Sequence, residues 1–104
     1  MRIVSGKYKG RKIYPPKNLP SRPTTDRLKE GLFNILQNRF VYTNIKVLDL
    51  YSGTGNISYE FASRGSLSIT SVDLNRLCVN FIKKTSLLLN TKINVIQSDS
   101  INYL

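Results

Sequence analysis

Apolar and polar positions change period along this chain, and the changes mark its elements. Arg2 to Ser5 and Arg11 to Tyr14 predict two short strands joined by the glycine-bounded loop Gly6-Lys7-Tyr8-Lys9-Gly10. Pro15-Pro16 ends the second strand, because proline cannot donate to a ladder, and Lys17 to Ser21 predicts a linker closed by Pro20. The period then turns helical. Leu28, Leu32, Ile35, Leu36 and Phe40 fall on one face, while Arg27, Lys29 and Arg39 lie off that stripe. Either Thr24 or Thr25 can cap the free amides, Pro23 keeps Arg22 extended, and Asp26 and Glu30 suit the positive end of the dipole.

From Ile45 onward, strand and helix alternate. A strand over Ile45–Tyr51 leads to a helix over Asn56–Arg64 that stops at Gly65. A second strand, Ser68–Asp73, precedes a helix from about Asn75 to Asn90, expected to pack Leu77, Cys78, Phe81, Ile82, Leu88 and Leu89 inward. Ile93, Val95 and Ile96 predict a third strand ending at Ser98-Asp99. Strands separated by helices must run parallel through right-handed crossovers. The predicted class is α/β: an N-terminal β-hairpin and helix over residues 1–42, then a partial parallel sheet over 43–104.

Charge separates the same two parts. The net charge of +10 is concentrated in residues 1–40, where ten Lys/Arg face only Asp26 and Glu30. A basic arm on a nearly neutral body suggests a polyanion, foremost a nucleic acid, held by the arm, with ligand chemistry in the body. Tyr8 and Tyr14 can stack on bases or sit half-buried in the hairpin. Lys83 and Lys84 read as a solvated helix face. A single cysteine, Cys78, excludes an internal disulfide and reads as core, and the absence of histidine argues against a metal site. No apolar run approaches the ~18 residues of a membrane span, and Arg2 is followed by a mixed polar stretch rather than a signal sequence. The expected location is cytoplasmic, with no membrane partner.

The candidate chemistry lies at the strand ends. Asp49, Asp73 and Asp99 each close one predicted strand, and in a parallel sheet all such ends share the edge where α/β ligands bind. Ionised carboxylates accept hydrogen bonds and donate none, so they suit hydroxyls, amines and ammonium groups and suit phosphate badly. Asp73 stands where an acid can grip both hydroxyls of a ribose, Asp49 is placed for an amino group, and Gly53 and Gly55 let the backbone come close to the ligand. Plainer roles stand beside these: Asp49 satisfied by backbone amides, Asp73 capping the helix from Asn75, and Asp99 as an N-cap. A nicotinamide-dinucleotide turn is the nearest rival. It needs a third small residue where Ser58 stands, and an acid before its loop would repel a pyrophosphate.

Val47-Leu48-Asp49-Leu50-Tyr51-Ser52-Gly53-Thr54-Gly55 resembles motif I of the S-adenosylmethionine (AdoMet) methyltransferases with the Rossmann-like fold. Val72-Asp73 resembles their ribose-binding acidic motif and Ser98-Asp99 their adenine-binding position. The run from Met1 to Lys12, together with Arg22-Pro23-Thr24-Thr25-Asp26-Arg27 and Leu32-Phe33-Asn34-Ile35-Leu36, resembles the opening of the RsmD family, bacterial 16S ribosomal RNA guanine-N2 methyltransferases. The resemblance covers the whole chain and implies the first three strands of a Rossmann-like AdoMet methyltransferase fold.

The resemblance also implies roles. Asp49, Ser52, Gly53 and Gly55 would hold the methionine end of AdoMet, Asp73 with Leu74 the ribose side, and Ser98 with Asp99 the adenine. Arg22, Pro23, Thr24 and Thr25 would lie beside the active site, near both cofactor and RNA, Arg27 would also bind RNA, and Arg2, Lys7, Lys9, Arg11 and Lys12 would meet RNA phosphates. The implied partner is 16S ribosomal RNA or the small ribosomal subunit, and the implied full-length state is a monomer.

One family element is missing. The family's Asn/Asp-Pro-Pro-aromatic motif, which accepts hydrogen bonds from the guanine amine and stacks on the base, does not occur in these 104 residues; Pro15-Pro16 follows Tyr14 in the basic arm. The expectation is that the chain alone carries no catalytic residue and does not methylate. It is also expected to be a poor autonomous fold, since Ile45–Leu50 would be an apolar edge strand. The alternative is a non-catalytic RNA- or ribosome-binding module.

Overall fold

A computed structural model describes residues 1–20 and 24–104. Helix α1 (Asp26–Gln37) is followed by a short 3₁₀ turn (Tyr42–Asn44), then by β1 (Lys46–Leu50), α2 (Asn56–Ser63), β2 (Ser68–Asp73), α3 (Arg76–Leu88), β3 (Asn94–Gln97) and α4 (Ser100–Tyr103). The three strands form one parallel sheet in the order β1-β2-β3. Lys46 to Leu50 lie opposite Ser68 to Val72, and Thr70 to Asp73 lie opposite Asn94 to Gln97. This is the partial Rossmann-like sheet expected of the alternating pattern. Among the described residues, the outer edge of β1 pairs with no strand.

The helix starts follow from their caps. Thr25 accepts the Leu28 N–H at 3.2 Å, Asn75 accepts those of Leu77 and Cys78, and Asp99 accepts that of Ile101 at 2.9 Å. Arg22 lies outside the described residues.

The N-terminal hairpin is tighter than its sequence suggests. In place of two strands there is a single antiparallel bridge, Arg2 to Lys12, flanked by hydrogen bonds from Ile3 N–H to the Arg11 carbonyl and from Ile13 N–H to the Met1 carbonyl. The hairpin does not stand apart from the sheet region. Ile3 and Ile13 form one core with Tyr59 of α2, Ile82 of α3 and Leu89. The hairpin's turn rests on the end of α2: Lys7 N–H donates to the Ser63 carbonyl at 2.7 Å, Tyr8 N–H to Ser63 Oγ at 2.9 Å, and Ser63 Oγ to the Ser5 carbonyl at 2.6 Å.

Gly6 makes that close approach possible. Its φ is +92°, and a Cβ there would fall 2.1 Å from the Ser63 carbonyl oxygen. Gly6→Ala therefore combines left-handed strain with displacement of the hairpin, a loss of roughly 2–4 kcal/mol. The expected result is a thermal midpoint lower by about 8 °C or more, read by circular dichroism. A midpoint unchanged from the parent would contradict this docking.

Two helices turn differently from their hydrophobic stripes. On α1, the expected inward residues Leu28, Leu32 and Ile35 are 68%, 42% and 58% exposed, and Phe40, beyond the helix end, is also exposed. Leu36 is half-buried, and the fully buried residues are Lys29 and Phe33. The cause is polar. Lys29 reaches a set of buried acceptors described below, and Phe33 packs edge-on against Phe61 at 4.7 Å between centroids, with the Arg64 guanidinium 4.7 Å from its ring centre. On α3, Cys78, Ile82 and the following Leu89 are buried as expected, and Phe81 is half-buried. Leu77 and Leu88 are exposed, and Val79 is buried instead. The buried positions 78, 82, 85, 86 and 89 follow one helical face, which leaves Leu77 and Leu88 on a flank.

Candidate functional site

Parallel pairing brings the ends of β1, β2 and β3 to one edge, and the loop after β1 crosses it. Three residues of that loop have left-handed backbone: Tyr51 (φ 58°), Gly53 (φ 58°) and Gly55 (φ 82°). Tyr51 adopts this conformation despite its side chain, the kind of local strain that collects at functional loops. At Gly55 a Cβ would meet the Tyr59 ring tip at 2.6 Å, so the turn into α2 admits no side chain. The loop is tied to its neighbouring strand. Ser52 N–H donates to the Val72 carbonyl at 3.0 Å, and Ser52 Oγ donates to the Asp49 carbonyl at 2.6 Å.

Each strand-end acid has a defined role here. Asp73 Oδ2 accepts the Gly53 N–H at 2.9 Å and Oδ1 accepts the Asn75 N–H at 2.8 Å. A carboxylate offers about four lone-pair sites, so both oxygens keep capacity for ligand hydroxyls. The cap of α3 is Asn75 and not Asp73. Asp49 Oδ2 accepts from Ser58 Oγ at 2.6 Å, and Ser58 Oγ lies 2.5 Å from Ser71 Oγ. Ser58 thus fastens α2 to both strands. Asp99 lies at the N-terminus of α4, where its carboxylate caps the helix. Ser98 N–H donates to the Asp73 carbonyl at 3.1 Å, which joins the second and third strand ends. Leu74 is exposed beside Asp73, and Ser98 is half-buried.

Burial pushes the Asp49 carboxyl above the ordinary carboxylate range. The Ser58 and Ser52 hydroxyls oppose this shift, and the nearby Asp73 charge adds to it. A carboxyl raised on folding binds its proton more tightly in the folded state, so its contribution to stability falls as pH rises through that raised value. Asp49→Asn is expected to flatten the decline of urea-melt stability as pH rises above the ordinary Asp value of about 3.9. An identical slope in parent and variant would show that Asp49 is not held in this way.

The edge suits a particular ligand class. Acids from three strands give it negative potential, its loop offers close backbone approach, and Asp73 supplies hydroxyl acceptors. A cationic ligand bearing a ribose, such as AdoMet with its sulfonium and ammonium groups, fits this donor and acceptor set. A pyrophosphate does not.

The predicted RNA contacts divide into two groups. Arg2, Lys7, Lys9, Arg11, Lys12 and Arg27 are exposed. Arg2 lies 3.9 Å from Asp26, and Arg11 donates to the Leu88 carbonyl at 3.3 Å. Thr25 spends its hydroxyl on the α1 cap, whereas Thr24 is half-buried and offers its carbonyl to Asn56 Nδ2 at 2.9 Å.

That last bond belongs to a set of residues that hydrophobic patterning does not reveal. Lys29 is wholly buried, and its Nζ donates to Asn56 Oδ1 at 2.7 Å and to the Arg2 carbonyl. Glu60, also wholly buried, lies 3.3 Å from Lys29 and accepts from Val4 N–H, Ser5 N–H and Arg64 Nε at 2.9, 3.1 and 2.9 Å. Hairpin, α1 and α2 meet at this one buried ion-pair cluster. It holds Thr24, at the start of α1, against the residue that follows Gly55. The available signal was Glu60 itself, a lone charge in the otherwise uncharged segment Asn56–Ser63.

The chain's relatives bear on what this edge does. The family model described as Conserved hypothetical protein 95 matches residues 1–104. The chain is 36% identical over 107 residues to "Ribosomal RNA small subunit methyltransferase D" of Buchnera aphidicola subsp. Baizongia pistaciae, covering 100% of this chain and 53% of that protein. Against the protein of the same name from Escherichia coli K12 it is 32% identical, covering 100% of this chain and 52% of that one. A solved structure of the Escherichia coli yhhF protein superposes with a TM-score of 0.85 at 29% identity, covering 99% of this chain and 55% of that chain. The chain spans about half the length of the curated relatives it matches.

Proposed function

This chain belongs to the RsmD family, and we propose that it forms the cofactor- and RNA-holding portion of an AdoMet-dependent enzyme that methylates N2 of a guanine in 16S ribosomal RNA. The observation that carries this reading is the strand-end edge. Asp49, Asp73 and Asp99 close three neighbouring strands around the left-handed loop Tyr51–Gly55, and an exposed basic hairpin is docked on the same helices.

AdoMet, when bound, supplies an electrophilic methyl group. The chain's own residues bind and orient. Asp73 accepts the two ribose hydroxyls with the lone pairs left over from Gly53 and Asn75, and exposed Leu74 gives the nucleoside an apolar neighbour. Asp99 and Ser98 meet the adenine end. Asp49, Ser52, Gly53 and Gly55 line the methionine end, where the ammonium is matched by carboxylate charge. Arg2, Lys7, Lys9, Arg11 and Lys12 take RNA phosphates. Thr24, Thr25 and Arg27 lie between RNA and cofactor, and the Lys29–Asn56–Glu60 cluster holds Thr24 in place.

The guanine amine is a poor nucleophile because its lone pair is delocalised into the ring. A group that accepts hydrogen bonds from that amine must position it, and the family's Asn/Asp-Pro-Pro-aromatic motif is absent from these 104 residues. In this reading the chain alone binds without turning over. It acts in the cytoplasm on the small subunit or its RNA, without a metal, and is a monomer at full length.

The test incubates the chain with AdoMet labelled in its methyl group and small subunits lacking the modification, followed by nucleoside analysis. Retained AdoMet without labelled N2-methylguanosine is the expected result. Labelled N2-methylguanosine would overturn the inactivity of the chain alone. RNA retention without AdoMet retention would favour the binding-module reading.

A further inference from the structure

A groove of about 620 Å³ runs between residues 11–19 and the outer flank of α3, and its lining includes none of the strand-end residues described above. Its floor is apolar. Phe81 is half-buried there, and Leu88, unexplained as a core residue, is exposed along it. Tyr14 lines it while remaining 77% exposed. Arg11, Lys12 and Lys84 also line it, with no acid among the described lining residues. Arg11 donates to the Leu88 carbonyl, which ties the hairpin to the far end of α3 and closes one wall.

We propose that this groove holds an unpaired segment of RNA, with bases against Tyr14, Phe81 and Leu88 and phosphates on Arg11, Lys12 and Lys84. Two features favour RNA over an acidic peptide. Cations and aromatics interleave along Lys7-Tyr8-Lys9-Gly10-Arg11-Lys12-Ile13-Tyr14, the composition of a surface that tracks a phosphate backbone while bases stack. Lys7 and Lys9 of the same hairpin are exposed as well. Stacking on one exposed tyrosine is sequence-tolerant, so the groove anchors a strand and leaves choice of the target base to the strand-end site. This inference rests on the proposal that the chain handles RNA and adds a second, separate contact for it.

The probe is a fluorescein-labelled decamer of uridine, read by anisotropy across a salt series against an RNA duplex of equal length. Tyr14→Ala is expected to weaken decamer binding roughly tenfold at unchanged salt slope, the effect of one lost stacking partner. Lys84→Ala is expected to reduce the slope of log K against log salt by about 0.7, one phosphate's worth for a single strand. Duplex binding should respond less to Tyr14→Ala. If Tyr14→Ala and Lys84→Ala leave decamer binding unchanged while a Lys7→Ala/Lys9→Ala variant weakens it, the groove is not the site, although the RNA-binding reading stands. If the parent chain binds neither RNA, both fail. An acidic amphipathic peptide that binds with Tyr14 dependence, when the RNA does not, makes the groove a protein-docking site and overturns the proposal.

Discussion

Glu60→Ala is expected to leave the chain unfolded, or to lower its thermal midpoint by about 12 °C or more. Glu60 is wholly buried, accepts from three donors, Arg64 Nε and the N–H groups of Val4 and Ser5, and lies 3.3 Å from the Lys29 ammonium as its ion-pair partner. Removing it leaves the buried Lys29 charge with two uncharged acceptors, and Asp26 4.0 Å away. Breaking one partner of a buried pair costs roughly 3–5 kcal/mol. A total stability of about 5–15 kcal/mol leaves little margin for that loss. At about 4 °C per kcal/mol for a chain of this size, the smaller figure gives the stated shift. Lys29→Met costs less, because Glu60 keeps Arg64 and both backbone donors. The double variant is expected to lose less than the sum of the singles, since the uncompensated Lys29 charge is gone. Additive losses in a double-mutant cycle of urea melts would mean that the two charges do not act as a unit.

Asp73→Ala is expected to weaken AdoMet binding about 100-fold or more, read by calorimetry. Two hydrogen bonds to a charged acceptor contribute roughly 1.5–3 kcal/mol each, and each tenfold in affinity is about 1.4 kcal/mol. The same change also frees the Gly53 and Asn75 N–H groups, so part of the loss comes from a loosened loop. Asp73→Asn separates the contributions. It keeps an acceptor for one of those amides and loses the charge, and it should fold like the parent while still binding at least tenfold more weakly. Asp99→Ala should cost about tenfold or less, because its carboxylate is exposed and already engaged in capping α4. An Asp73→Ala chain that binds AdoMet like the parent would remove Asp73 from the ribose role.

Local chemistry made the sheet region legible in advance. Strand lengths, the acid at each strand end and the glycines after Asp49 are short-range signals, and they predict three parallel strands sharing one edge. Thr25 and Asn75 sit where capping chemistry puts them. The orientation of α1 was not legible. Leu28, Leu32 and Ile35 form an apolar stripe that ordinarily turns inward, yet the helix is held by Lys29 and Phe33. Their partners, Glu60, Asn56 and Phe61, lie about thirty residues away, and no local pattern encodes a pairing across that distance. The role of Ser58 was not legible either. It interrupts a dinucleotide fingerprint, but its hydroxyl has a positive task of its own, bracing Asp49 and Ser71. The hairpin keeps one bridge, and its donors between the two arms turn outward: the N–H groups of Val4 and Ser5 go to Glu60, and those of Lys7 and Tyr8 go to Ser63.

The most direct measurement is calorimetric titration of this chain with AdoMet, repeated with excess NADH present. One saturable site per chain is expected, lost in Asp73→Ala and indifferent to NADH, because the acid-lined edge repels a pyrophosphate. No binding by folded chain, or displacement of AdoMet by NADH, would contradict the reading of this edge as an AdoMet site.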